Sequence, residues 1–180
     1  GQLNKEQEQH RLTSRLTLAE VTGFAYFYGA FLVGPQFAMS SYLQMATGQR
    51  TDQPGHPPNS VLPALKRLSL GMFYLMIHML ASSYFPDEYF LTTEFANRSL
   101  GYKCLFITLW GKVTLIKYVT CWLVAEGVCI LTGLGYNGRN EAGETQWDAC
   151  TNIKVLLFET TPYFKGTIAA FNIQTNLWAA

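Results

Sequence analysis

Residues 102–132 read YKCLFITLWGKVTLIKYVTCWLVAEGVCILT, an apolar run that as one helix would extend about 46 Å against a hydrocarbon core of about 30 Å. A run of this kind predicts a membrane-crossing helix that either tilts steeply or breaks near Gly111. Of the charges inside it, Lys112, Lys117 and Glu126 cannot all reach an interface from a single crossing. A charge at the bilayer centre costs roughly 2.5–3.5 kcal/mol on insertion scales, so at least one of them must face a polar cavity or a partner. Lys117 and Glu126 fall about half a turn out of phase at roughly 100° per residue, so a straight helix does not pair them with each other. Ion pairing with helices outside these 180 residues and substrate binding both remain open readings of these charges.

The rest of the sequence carries the same signal. Only 14% of the residues are charged and 49% are hydrophobic; soluble domains usually carry about 25% charge. Mean hydropathy is near zero because polar ends and loops dilute the apolar runs. A net charge of +1 gives no electrostatic basis for binding nucleic acid or an acidic partner. Residues 21–37 are apolar and aromatic at about the lower length limit for a span, and Gly34-Pro35 bends or ends them. Residues 68–85 form a further apolar run whose sole ionisable group is His78. His78 reads as a neutral imidazole bonded to a neighbouring helix rather than as a proton carrier. Lys66-Arg67 precede this run and place that end toward the cytosol. A single crossing by residues 102–132 would return residues 133–148 to the same side.

Proline and glycine mark residues 48–63 and 133–143 as loops. The fold expected is all-α, a polytopic transmembrane helical bundle forming one membrane domain over residues 1–180. In it, residues 1–17 are a polar interfacial segment and 18–180 supply spanning helices and loops.

Several chemistries are disfavoured. Cys104, Cys121, Cys129 and Cys150 stand singly, without histidines at ligand spacing, and read as small hydrophobes rather than metal ligands. GLGYNG at 133–138 fits GxGxxG, yet a charged loop comes next where a nucleotide site needs a helix. No Ser/His/Asp set or Cys/His pair stands at credible spacing. More suggestive is GTIAAFNIQTNLW at 166–178, in which a helix would set Asn172 and Asn176 on one face. A buried amide without partners costs about 1–3 kcal/mol, so the pair indicates either a polar task or glue between helices. The chain does not begin with Met and ends on apolar Trp178-Ala179-Ala180, which reads as a piece of a longer sequence.

Four blocks, PNSVLPALKRLSLG at 58–71, WGKVTLIKYVTCWLVAEGVCILTGLGYNG at 110–138, WDACTNIKVLLFET at 147–160 and GTIAAFNIQTNLW at 166–178, resemble the membrane-bound O-acyltransferase (MBOAT) superfamily. Within it they are most similar to the lysophospholipid acyltransferases. The resemblance implies a multi-pass endoplasmic reticulum enzyme that moves a fatty acyl group from acyl-CoA to the free hydroxyl of a lysophospholipid. Acyl-CoA would be a co-substrate, with no resident cofactor. The partners implied are acyl-CoA, a lysophospholipid and the bilayer, with a leaning toward lysophosphatidylcholine and polyunsaturated chains.

The family's catalytic asparagine falls on Asn172, and the Trp-Asp pair of its first motif falls on Trp147 and Asp148. Its catalytic histidine belongs to a Trp-His-Gly motif farther along, and none of His10, His56 or His78 occupies that motif. These 180 residues are therefore expected to be inactive alone. Substrate-binding candidates are Trp147, Asp148, Asn176, Lys112 and Lys117, the two lysines as phosphate contacts. Other readings are an O-acyltransferase with a sterol or protein acceptor and a non-catalytic channel or transporter segment, which would also carry intramembrane charge.

Overall fold

A computed structural model describes residues 8, 10–12 and 14–179. Most of the polar segment 1–17 lies outside those residues. Helix α1 (Leu18–Ala25) begins at a capping box, in which Thr17 Oγ1 accepts the Glu20 N–H at 3.2 Å and Glu20 Oε2 accepts the Thr17 N–H at 2.7 Å. α1 gives way to turns after Ala25, so residues 21–37 are not the expected spanning helix. Aromatic packing in those turns explains the shape: Phe27 is buried and meets Phe37 and Tyr42 edge to face, which folds the segment back on itself. Tyr42 lies on α2 (Met39–Ala46).

Two long helices organise the middle of the chain. α3 (Val61–Ser82) starts well before the apolar run begins, because Pro63 sits in its first turn, where the missing N–H costs nothing. A 3-10 turn (Asp87–Leu91) and short α4 (Thr93–Asn97) lead into α5 (Leu100–Leu131). α5 is one continuous 32-residue helix, so Gly111 does not break it. Both long helices are long and apolar enough to cross a membrane, α5 largely buried within the chain and α3 largely exposed.

α3 and α5 pack antiparallel. Ser60 Oγ donates to the Leu131 carbonyl at 3.0 Å at one end, and His78 Nδ1–H donates to the Val113 carbonyl at 3.2 Å farther along, the helix-to-helix role expected of that imidazole. Glycine permits the close approach between them. A Cβ on Gly71 would stand 3.1 Å from Leu123 Cβ and 3.3 Å from the Val124 nitrogen, and one on Gly127 3.4 Å from the Ala64 carbonyl oxygen. Gly71→Val is therefore expected to lower stability by about 1–3 kcal/mol, read as a lower melting temperature in detergent. Gly101→Val, with nothing within 4 Å of its Cβ, is the control that should leave melting unchanged or raise it.

The chain then turns back over the paired helices. Residues 133–154 form a loop that carries the bridge Arg139–Thr145, and α6 (Val155–Thr160) and α7 (Phe164–Ala170) make a short helical hairpin against them. Ile153, Phe158 and Ala170 bury themselves among Tyr74, Ile116, Val119, Trp122 and Leu123. α8 (Ile173–Ala179) comes directly after.

Candidate active site

The two legs of the hairpin meet as a short antiparallel pair. Ile153 bridges Phe171, Lys154 N–H donates to the Ala170 carbonyl at 2.9 Å, and Ile173 N–H donates to the Asn152 carbonyl at 3.0 Å. This register sets Asn152 directly opposite Asn172. Phe171 is extended at φ −123 and ψ 129, and Asn172 is left-handed at φ 55. The continuous helix that would align Asn172 with Asn176 therefore does not form. Asparagine is among the few residues other than glycine that enter the left-handed region at modest cost.

The two amides have separate tasks. Asn176 Nδ2 donates to the carbonyls of Ile168 at 3.2 Å and Phe171 at 3.1 Å, satisfying groups freed where α7 ends. Asn172 Oδ1 accepts from Asn152 Nδ2 at 3.4 Å. Asn152 itself is 1% exposed, and its Oδ1 accepts the Gln174 N–H at 2.9 Å. Gln174 Nε2 in turn donates to the carbonyls of Ala149 at 3.2 Å and Thr151 at 3.0 Å, clamping α8 to the loop.

Glu126, 2% exposed, lies behind this pair. Its Oε1 accepts the N–H groups of Asn152 at 2.7 Å and Ile153 at 3.0 Å. Its Oε2 accepts Arg67 Nε–H at 2.5 Å, and Arg67 Nη2 donates to the Ile153 carbonyl at 2.6 Å. The charge that required a partner thus finds one within the chain, on the neighbouring helix. Arg67 is consequently engaged between helices, and of the basic pair only Lys66 is exposed.

Lys112 is ion-paired with Glu159 on α6 and stands 4.6 Å from the centre of the Phe158 ring; the same carboxylate accepts the Tyr74 hydroxyl at 3.0 Å. Lys117 is exposed, its Nζ 5.3 Å from the centre of the Tyr118 ring, apart from the Lys112 cluster.

Trp147 packs on Tyr136 with ring centres 5.6 Å apart, and Asp148 Oδ1 accepts from Asn137 Nδ2 at 2.9 Å. Asp148 and Arg50 line a cleft of about 700 Å³ together with Gln174, Leu177 and Trp178 of α8. Asp148 and α8 therefore share one cavity, whose lining includes none of Asn172, Asn176, Trp147, Lys112 and Lys117. Arg50 donates to the Tyr136 carbonyl at 2.5 Å, and burial pulls its guanidinium below its ordinary value while leaving it a cation at neutral pH. Among the described residues no cluster of three or more His, Cys, Asp or Glu side chains could hold a metal. A carboxamide N–H with no general base beside it can bind and polarise a carbonyl oxygen but cannot take a proton.

Residues 2–180 match the MBOAT, membrane-bound O-acyltransferase family. The chain belongs to that family. Lysophospholipid acyltransferase 5 of Mus musculus is 57% identical over 178 residues, covering 99% of this chain and 37% of that protein. The Homo sapiens protein of the same name is 55% identical over the same shares, and that of Drosophila melanogaster is 36% identical over 99% of this chain and 35% of its own length. The chain thus spans a little over a third of the length of these curated relatives.

Membership of a membrane-bound family accords with the two long apolar helices and with a fold whose described residues hold helices and isolated bridges. Sequence reasoning passed over Asn152 and Gln174, and gave Arg67 only an orienting role beside Lys66. Asn152 did leave a signal, an amide placed immediately before the apolar turn Ile153–Phe158, which parallels Asn172 before Ile173.

Proposed function

We propose that this chain forms part of an acyl-CoA-dependent lysophospholipid O-acyltransferase of the endoplasmic reticulum membrane and supplies its active-site amide, Asn172. The observation that carries the proposal is the Asn172 carboxamide, held at the break between α7 and α8 in a chain of the O-acyltransferase family. Irregular backbone at membrane depth is tolerated where it is buried in protein or lines a cavity, which is where an amphipathic acceptor and a thioester must meet.

In the reaction, the acceptor hydroxyl oxygen attacks the thioester carbonyl carbon, and its proton passes to a base as the C–O bond forms. The family's histidine, carried farther along the sequence, is that base. Negative charge gathers on the carbonyl oxygen, where the Asn172 Nδ2–H groups are the donors this chain offers. Collapse re-forms the carbonyl, breaks the C–S bond and releases CoA, whose sulfur takes the proton back. The remaining helices of the polytopic bundle come from the rest of the protein. The antiparallel pairing of α3 and α5 brings residues 48–60 and 133–148 to the same end of the helix pair, and in this reading that end faces the cytosol, where soluble CoA is found.

The channel or transporter reading loses its main support, because Glu126 pairs with Arg67 and Lys112 with Glu159. The test is an acceptor panel: microsomes containing the full-length protein, a polyunsaturated acyl-CoA, and lysophospholipids of several head groups beside a sterol and a peptide. Acyl incorporation into lysophospholipid, greatest with the choline head group, is the expected result. Incorporation into sterol or peptide alone would replace the acceptor class.

A further inference from the structure

We infer that Asn152 is the residue that aims the active-site amide: it touches no substrate and acts through Asn172. The inference rests on the proposed role of Asn172 as that amide.

The Gln174 backbone N–H, 2.9 Å from one end of the Asn152 amide, can only donate. That end is therefore oxygen, and the other is the NH2 group. Asn152 Nδ2 faces Asn172 at 3.4 Å, so Asn172 must present its own oxygen there. The Asn172 NH2 group is thereby directed away from Asn152, leaving it to meet an acyl carbonyl. Without this hydrogen bond the carboxamide torsion is broad and roughly two-fold, and one of its two orientations points oxygen at the developing oxyanion. Asn152 is itself fixed on every side. Its N–H is held by Glu126 at 2.7 Å, its carbonyl accepts the Ile173 N–H at 3.0 Å, and its side chain is buried.

Asn152→Asp separates aiming from folding, because the carboxylate has the same shape and still accepts from Gln174. It has no N–H to offer Asn172. It therefore attracts the Asn172 NH2 and turns the Asn172 oxygen toward the reacting carbonyl. In the full-length enzyme, with rates taken per mole of folded protein from size-exclusion, kcat should fall by roughly 30-fold or more while KM for acyl-CoA stays within about 3-fold. Asn152→Ser, whose shorter hydroxyl no longer reaches Asn172 and adds no charge, should lose about 10-fold and covers the case in which the aspartate variant folds poorly. Combined with Asn172→Gly, either substitution should add less than about 2-fold, because a residue that acts only through Asn172 has nothing left to aim.

Wild-type kcat in both Asn152 variants, or losses that multiply in the double variants, would overturn the inference while leaving Asn172 in place. Wild-type turnover by Asn172→Gly would overturn both. An inactive Asn172→Gly with non-multiplying Asn152 losses supports both.

Discussion

Asn172→Gly in the full-length enzyme should lower kcat by about 10²–10³, with expression and melting temperature close to wild type. Glycine is the informative substitution because Asn172 sits at φ 55. Glycine adopts that conformation freely, so it deletes the carboxamide and keeps the chain path. Alanine deletes the same amide but places a Cβ in the left-handed region, at about 1–2 kcal/mol. Asn172→Ala should therefore lose the same turnover and melt lower as well, and the difference between the two variants isolates backbone strain from chemistry. Asn172→Asp, which also accepts left-handed backbone, should be as inactive as glycine, since a carboxylate offers the oxyanion repulsion in place of a donor. Turnover within a few-fold of wild type in the glycine variant would remove Asn172 from the reaction.

Glu126→Ala should be the most damaging substitution for folding, at about 3–5 kcal/mol, seen as a collapse of the monodisperse size-exclusion peak in detergent. It leaves the Arg67 guanidinium without its counter-ion and strips the N–H groups of Asn152 and Ile153 of their shared acceptor. Glu126→Gln keeps one acceptor oxygen and should fall between alanine and wild type. Arg67→Met combined with Glu126→Gln should cost less than the two singles added together, with a coupling of about 0.5–3 kcal/mol, because the double variant leaves no charge buried alone. Additive losses would mean that the ion pair contributes nothing beyond its separate hydrogen bonds.

The long helix and its need for charge partners were legible because length and apolarity are local properties of the sequence. The blocks at 110–138 and 166–178 likewise led to the family and to Asn172. The geometry at Asn172 was not legible. Helical spacing aligned Asn172 with Asn176, whereas pairing with residues 152–154 breaks the helix and opposes Asn172 to Asn152, and such pairing depends on a return of the chain that no local pattern encodes. Residues 21–37 failed for a related reason: apolarity measured a burial that Phe27 and its aromatic neighbours achieve by folding back rather than by spanning. Arg67 read as an interfacial charge beside Lys66 because its partner lies on another helix.

The α6–α7 hairpin is riveted at two levels. Near its mouth, Arg67 of α3 and Glu126 of α5 together grip the backbone of residues 152 and 153, and toward its tip Glu159 joins Tyr74 of α3 to Lys112 of α5. Each rivet spans both long helices, so α3, α5 and the hairpin behave mechanically as one slab with Asn172 at its edge. Swinging the hairpin aside to admit a bulky lipid would break the Lys112–Glu159 ion pair together with the hydrogen bonds that Arg67 and Glu126 make to the backbone of residues 152 and 153. With Asn172 as the active-site amide, the reaction takes place against a wall held fixed on two helices, and an opening for acceptor and product lies elsewhere than in this hairpin.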